Sequence, residues 1–239
     1  MFLYNVKIKL KKVISMAKTF FICNAIKFST EAFSTNSQLQ LVEPDGLGLT
    51  EGEPTTQLLP IDKIYLNDFQ TFDCYHETTE KVFGKVFGKN FAYYLRPHKF
   101  YSFCNFEKEL AFLRLNTDSS EEVIKLLNSQ PNYKLSKFDI DFEKIITKLH
   151  EISGMWVKVD NNQNLDSAAY FGKDVDRDPG VKEMIENGEL SYIQMKYTKD
   201  GQEHKIGISK RGSITLYNNY QNLETELDMA WDIYKKLLA

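Results

Sequence analysis

The sequence predicts an α+β fold, with a β-rich N-terminal half and a C-terminal half that holds an antiparallel meander and packed helices. Three observations support this prediction. Aromatic and β-branched residues are broken by short polar turns over residues 60–115, as is typical of strands. Short Gly-containing turns at 199–201 and 210–212 separate three strand-like segments. Apolar residues at helical spacing then follow over residues 222–238.

The first half, residues 1–117, is predicted to be β-rich with one long interruption. Val6, Ile8 and Leu10 alternate with lysines, which predicts a strand with the lysines on one face, and a second strand is predicted at residues 20–28. Residues 29–59 are rich in Ser, Thr, Gly, Pro and Gln and carry acids but no base. We therefore expect this segment to be a long loop.

The second half, residues 118–239, is predicted to mix helices with the meander. First-turn acids at its start precede apolar residues at helical spacing, which predicts a helix over residues 118–128. Apolar spacing also predicts a helix over residues 142–152 that ends at Gly154. The remaining predicted elements are a strand at 155–159, a helix at 179–187 that Asp178 caps, the meander at 190–217 and a helix at 222–238.

Composition limits the compartment and the partners. The net charge is −3, so attraction to nucleic acid must come from a local patch rather than from the whole chain. The widely spaced Cys23, Cys74 and Cys104 indicate no disulfide framework and favour a reducing compartment. The uncharged run at residues 19–26 is far shorter than the roughly 20 residues of a membrane span. We therefore expect a cytoplasmic protein without a membrane partner.

Residues 81–106 interleave cations with aromatic rings and contain no acid. Cations hold a phosphate backbone while flat rings stack on bases, so this stretch predicts a nucleic-acid-binding surface. The same pattern also fits strands with rings inward and lysines outward. A basic turn at 210–212 would extend the surface. The residues predicted to bind nucleic acid are Lys85, Lys89, Tyr93, Tyr94, Arg96, Lys99, Tyr101, Lys210 and Arg211.

Catalytic motifs are weak. The glycines of the repeated VFGK at residues 82–89 miss the spacing of a phosphate loop, and no Ser or Thr follows the last lysine. Asp139 and Asp141 are candidate carboxylates for the divalent ion of a nuclease, although acids in a first helical turn also favour the helix dipole. No metal site and no cofactor is predicted, and the sequence favours a protein without catalytic activity.

A resemblance to a group of known proteins rests on three features: the segment FLRLNTDSSEEVIKLLNS at residues 112–129, the closing meander and helix, and a composition rich in Lys, Asn, Phe and Tyr. With these features the chain resembles small uncharacterised proteins carried by prophages and mobile elements of low-GC Gram-positive bacteria. The resemblance implies a role in phage resistance or its counteraction, often through nucleic acid. It assigns no functional residue, because no catalytic motif is matched.

The sequence therefore predicts a non-enzymatic nucleic-acid-binding protein, with phage–host conflict as its setting. Two alternatives stay open. One is a protein-interaction or homo-oligomeric module that meets a protein partner through an aromatic-rich sheet edge and the acidic loop 29–59. The other is a metal-dependent nuclease that uses Asp139 and Asp141.

Overall fold

The computed structural model describes residues 17–35, 54–66, 68–86, 89–146, 148, 151–159, 166–186 and 188–239. This part of the chain is α+β, with one sheet and four α-helices. The strands are β1 (Lys18–Lys27), β2 (Phe33–Ser34), β3 (Thr56–Tyr65), β4 (Phe69–Val86), β5 (Lys89–Asn105), β6 (Leu110–Leu113), β7 (Lys134–Lys137), β8 (Ile152–Val159), β9 (Ser167–Phe171), β10 (Gly188–Lys199), β11 (Gln202–Ser209) and β12 (Ser213–Leu216). The helices are α1 (Thr117–Asn128), α2 (Phe142–Ile146), α3 (Pro179–Glu186) and α4 (Leu223–Ile233), with a 3₁₀ turn at Val175–Arg177 and a π-helical turn at Tyr234–Leu238.

The strands form one sheet in the order β2-β3-β4-β5-β6-β1-β12-β11-β10-β8-β9, and β7 pairs with the later part of β1. Each of these pairings is antiparallel. In the middle of the sheet, Phe21 of β1 lies opposite Leu113 of β6 on one side and Ser213 of β12 on the other. Strands from the predicted regions 1–117 and 118–239 therefore share one sheet.

β1 occupies the centre because its apolar residues are buried on both faces of the sheet. Phe20 and Ile22 belong to one hydrophobic core, Phe21 and Cys23 belong to the other, and all four are fully buried. A continuous apolar run is typical of a strand that is covered on both sides.

Helices cover the two faces of the sheet at different places. Leu227, Ala230 and Ile233 of α4 belong to the core on one face, which we call the α4 face; α2 and α3 lie on the same side. Val123 and Leu127 of α1 belong to the core on the opposite face, which we call the α1 face. That second core draws on β1 and β3–β7 but on no buried residue of β8–β12. Within the described residues, the α1 face of β8–β11 therefore has no helix packed on it.

The helices begin at polar caps. The Asn116 side chain accepts a hydrogen bond from Ser119 N (2.9 Å) at the start of α1, and the Asn222 side chain accepts one from Thr225 N (3.0 Å) at the start of α4. Before α3, Asp178 Oδ1 accepts from the amides that follow Pro179, as the sequence predicts. No helix in the described ranges is long and apolar enough to cross a membrane.

The helix predicted over residues 142–152 is wrong in its second half. α2 ends at Ile146, whereas Ile152 begins β8 and Gly154 lies within that strand rather than at a helix end. Ile152 pairs with Met195 of β10, and both side chains are buried in the core of the α4 face. Pairing with a distant strand thus decides the conformation of a segment whose apolar spacing alone also fits a helix.

The long acidic segment predicted at residues 29–59 is described only at its ends. There Phe33 and Ser34 form β2 and pair with Leu58 and Gln57 of β3. Residues 36–53 and the strand predicted at Val6–Leu10 lie outside the described residues.

Gly207 of β11 gives a sharp test of packing on the α1 face. A Cβ atom built at this position would lie 1.7 Å from Tyr192 Oη and 2.3 Å from Tyr192 Cζ, and the Tyr192 hydroxyl is hydrogen-bonded to Tyr217 Oη at 2.7 Å. We expect Gly207→Ala to lower the free energy of unfolding by about 1–3 kcal/mol, because the ring must leave its position. Urea denaturation measures the change.

The matched control removes the ring first. In a Tyr192→Ala background the extra methyl group meets no ring, so Gly207→Ala is expected to cost little there. An equal cost in both backgrounds would show that the clash with Tyr192 is not the cause.

Candidate nucleic-acid interface

The hairpin of β4 and β5 extends beyond the rest of the sheet. β3 pairs with β4 only as far as His76, and β6 pairs with β5 only from Ser102 onwards. Beyond Glu77, residues 78–86 and 89–96 pair only with each other within the described part of the chain. We call this two-stranded segment the ribbon. At about 3.3 Å per residue it is roughly 30 Å long.

The ribbon is basic. Its only acid is Glu80, and its bases are Lys81, Lys85, Lys89 and Arg96. The tandem VFGK distributes two of these lysines over both strands at the end of the hairpin, where Lys85 lies opposite Asn90 and Val86 lies opposite Lys89. Residues 87–88 and the side chains of Lys85, Lys89 and Tyr93 lie outside the described part of the structure.

A register shift interrupts the ribbon between Lys81 and Gly84. Lys81 pairs with Tyr93, but Gly84 pairs with Phe91, so the β4 strand carries one more residue than its partner over this interval. Such a bulge increases the right-handed twist of a strand pair. Bulges are also among the devices that keep the open edges of strands from pairing with other chains.

The predicted binding residues at the root of the ribbon divide between the two faces of β5. Side chains alternate along a strand, so Tyr94 and Arg96 share the α1 face with Phe100, while Lys99 and Tyr101 point to the α4 face. Tyr94 is 49% exposed, and Arg96 Nη1 lies 3.6 Å from Glu80 Oε1 on the neighbouring strand. The structure therefore does not bring these four side chains together on one surface.

Two histidines anchor the root of the ribbon on the α1 face. Buried His76 shares a hydrogen bond with Thr56 Oγ1 through Nδ1 (2.8 Å), and its Nε2 lies 3.6 Å from Glu122 Oε2 of α1. His98 Nε2 is hydrogen-bonded to Thr78 Oγ1 at 3.0 Å. Burial lowers the pKa of both histidines, and the Glu122 carboxylate opposes this effect at His76. The root is thus held by neutral polar contacts at pH 7 rather than by charged imidazolium groups.

Lys210 and Arg211 lie in the turn between β11 and β12. In the strand order, β6 and β1 lie between β12 and β5, so this turn is not next to the ribbon. Lys210 Nζ is 2.5 Å from Glu189 Oε1, and the neighbouring Lys210 lowers the pKa of that carboxyl group. Arg211 donates to Asp118 Oδ1 (2.7 Å) and Glu121 Oε2 (2.6 Å) of α1. Both cations are therefore paired with acids of the same chain and do not extend the ribbon.

Asp139 and Asp141 precede α2. Asp141 Oδ1 accepts hydrogen bonds from the amides of Glu143 and Lys144, and the ion pair with Lys144 Nζ (3.1 Å) lowers the pKa of Asp141. Asp139 is exposed. Over the described ranges, no group of three or more His, Cys, Asp or Glu side chains is arranged to hold a metal ion. The geometry around Asp141 is that of a helix cap.

The three cysteines are free and buried. Burial raises the pKa of Cys74 and Cys104 to about 12, so their thiols stay protonated at pH 7. Cys74 Sγ lies 3.3 Å from Ser102 Oγ in the core of the α1 face. These thiols are core groups rather than nucleophiles.

The sequence predicts the basic stretch but not its shape. The signal was available in part, because residues 69–86 and 89–105 contain few turn-forming residues apart from the glycines of VFGK. The hairpin projects because its neighbours β3 and β6 pair with only part of its length. That pairing joins distant segments of the chain, so no local pattern predicts it. No protein-family model matches this chain, and no curated protein matches it.

Proposed function

We propose that this protein is a non-enzymatic nucleic-acid-binding protein whose ribbon contacts a duplex. The observation that carries the proposal is a two-stranded antiparallel ribbon with four bases and a single acid, extending beyond the sheet. The major groove of B-DNA is about 12 Å wide and admits a two-stranded β-ribbon. Ribbons of this kind read nucleic acid by placing strands in a groove.

Charge distribution favours binding through the ribbon alone. The whole chain has a net charge of −3, while the ribbon has three more bases than acids, so the rest of the molecule is acidic. A phosphate backbone is attracted to the ribbon and repelled by the rest of the surface. This arrangement orients the protein on the duplex with the ribbon towards the groove.

The test is the salt dependence of duplex binding. Fluorescence anisotropy of a labelled 20-base-pair duplex, measured between about 50 and 200 mM salt, gives the number of phosphates contacted, because binding releases counterions. With the four bases of the ribbon in contact, we expect a slope of log K against log salt of about −3 to −4. A slope near zero, or no binding at the lowest salt concentration, would contradict the proposal.

A second candidate, a protein-interaction module, is favoured by an open cleft on the α4 face of β3–β5. Its volume is about 440 Å³. Leu59, Asp73 and Tyr101 lie opposite one another on these three strands, with Leu59 47% and Tyr101 36% exposed, and Lys99 lines the cleft nearby. A stable oligomer in light scattering, lost in Leu59→Ser and retained in the ribbon variants, would favour this candidate over nucleic-acid binding.

The setting in phage–host conflict rests on the resemblance described above and stays a prediction. Metal-dependent cleavage by Asp139 and Asp141 also stays a prediction. Cleavage of a labelled duplex with Mg²⁺ or Mn²⁺, abolished in Asp139→Asn, would support the nuclease alternative.

A further inference from the structure

The α1 face of β8–β12 carries a row of aromatic rings. Phe171 of β9 contacts Trp156 of β8 with ring centroids 4.9 Å apart, and Trp156 contacts Tyr192 of β10 at 5.0 Å. Tyr192 then crosses β11 and shares the hydroxyl hydrogen bond with Tyr217, just after β12. We call these four side chains the aromatic row. They come from four segments between residues 156 and 217 and are brought together by the strand order.

Two glycines allow the rings to lie against the sheet. At Gly207 an added Cβ would meet the phenol end of Tyr192, and at Gly154 it would lie 3.1 Å from Phe171 Cδ1 and 3.2 Å from the Trp156 ring. Glycine in a strand interior often marks a place where another group approaches the backbone closely. Here that group is an aromatic side chain, namely Tyr192 at Gly207 and both Phe171 and Trp156 at Gly154.

Trp156 stands perpendicular to its neighbours. Its plane makes angles of 89° with Phe171 and 90° with Tyr192. Phe171 at the sheet edge is 64% exposed, and Trp156, Tyr192 and Tyr217 are half-buried. The row thus presents one exposed ring, Phe171, next to three half-buried rings, and the perpendicular contacts at Trp156 are an arrangement that aromatic pairs prefer.

Lysines flank the rings on the same face. Strand alternation places Lys158 on the side of Trp156, Lys196 on the side of Tyr192 and Lys205 on the side of Gly207. All three are exposed, and Lys205 Nζ lies 5.6 Å from the centroid of the Tyr217 ring. Lys196 Nζ is paired with Glu151 Oε1 (2.7 Å) and Glu203 Oε2 (3.9 Å), which leaves Lys158 and Lys205 as the lysines of this face that are placed to meet phosphates. Cations next to aromatic side chains are the combination that many proteins use to bind single-stranded nucleic acid.

We infer that the aromatic row binds unpaired bases of single-stranded DNA or RNA, with Lys158 and Lys205 contacting the phosphates. In a duplex the base faces are stacked on one another and only the edges are open to a protein, so a platform of rings selects unpaired bases. This inference rests on the proposed function for the class of partner, but it assigns a different surface and a different strand state from those of the ribbon.

Trp156 is itself the reporter for the test. The chain has two tryptophans, and Trp231 packs in the core against Phe69 and Tyr234, so Trp231→Phe leaves Trp156 as the only indole. We expect titration with a 12-nucleotide oligo(dT) to quench this fluorescence and an abasic strand of the same length to quench it little. No quenching by oligo(dT) at low salt, or equal quenching by both strands, would overturn the inference.

A second measurement does not depend on the folding of the Trp231 variant. By anisotropy, Phe171→Ala is expected to weaken oligo(dT) binding about 10-fold or more and to leave duplex binding unchanged, since the exposed ring supports little of the core. Ala169→Ser, on the same strand and face, is the matched control and is expected to bind as the wild type does. Unchanged affinity in Phe171→Ala would refute the role of the row.

The proposed roles of the ribbon and of the aromatic row can be refuted independently. A Lys85→Glu/Lys89→Glu variant that loses duplex binding but retains Trp156 quenching supports both assignments. A wild-type protein that binds oligo(dT) through the row but no duplex refutes the proposed ribbon function and leaves the row standing. Duplex binding without quenching by oligo(dT) refutes the row alone.

Discussion

Replacing Lys85 and Lys89 together by glutamate is expected to weaken duplex binding about 100-fold at 0.1 M salt. The two lysines lie on opposite strands at the end of the ribbon, where the basic stretch has no acid to compensate them. The double change removes two attractive charges and adds two repulsive ones at the same place. Because each phosphate contact adds about one unit to the salt slope, the slope is expected to fall by about two units. Anisotropy against salt concentration measures both effects.

The matched control has the same change in net charge at a different place. Lys134→Glu with Lys182→Glu reverses two exposed lysines, one in β7 and one in α3, outside the ribbon. We expect this variant to bind the duplex within a few-fold of the wild type, since neither lysine belongs to the ribbon and exposed charges are screened over a Debye length of about 10 Å at 0.1 M salt. Equal losses in the two variants would mean that net charge, and not the ribbon, governs binding.

Replacing Arg114 by leucine is expected to lower the free energy of unfolding by about 3–5 kcal/mol. Arg114, directly after β6, makes a two-pronged contact with Glu226 of α4, with distances of 2.6 Å from Nε to Oε2 and 3.3 Å from Nη2 to Oε1. The Glu226 side chain is only 8% exposed. Without the guanidinium group, a buried carboxylate has lost its cation, which is far more costly than losing an exposed pair. Chemical denaturation measures the change.

The double variant separates the cost of leaving the buried Glu226 charge unpaired from the cost of losing side-chain packing. Arg114→Leu/Glu226→Leu removes both charges, so most of the lost stability is expected to return. Arg177→Leu, which breaks a 3.9 Å pair between the exposed Arg177 and the half-buried Asp174, is expected to have a much smaller effect. If Arg114→Leu costs no more than Arg177→Leu, Glu226 does not depend on its partner.

Local chemistry made several elements predictable. The α3 start at Pro179, capped by Asp178, follows from residues that are neighbours in sequence. The turns of the last three strands contain Gly201 and Gly212, which adopt positive φ angles of 76° and 90° that other residues rarely tolerate. The basic character of residues 81–100 is likewise a property of the sequence alone. Each of these signals acts over a few residues, so it is present before any tertiary contact forms.

Other features depended on partners distant in the chain. Ile152 has helical spacing with the residues before it but becomes a strand residue because β10 pairs with it. Alternation along β5 places Arg96 and Lys99 on opposite faces, although the sequence pattern predicts that both belong to one nucleic-acid-binding surface. Tyr192 and Trp156 meet only because β8 and β10 are neighbours. Strand order determines such contacts, and no local pattern encodes it.

The sequence by itself therefore determined the α+β class, the helix and turn signals and the basic stretch of this protein. Only the tertiary structure decided that β1 joins both halves in one sheet, that the β4–β5 hairpin extends as a ribbon, and that four rings form the aromatic row. The physical reason is the range of the interactions. Caps, turns and periodic apolar positions act between neighbouring residues, whereas a sheet is assembled from strands whose partners lie up to two hundred residues away.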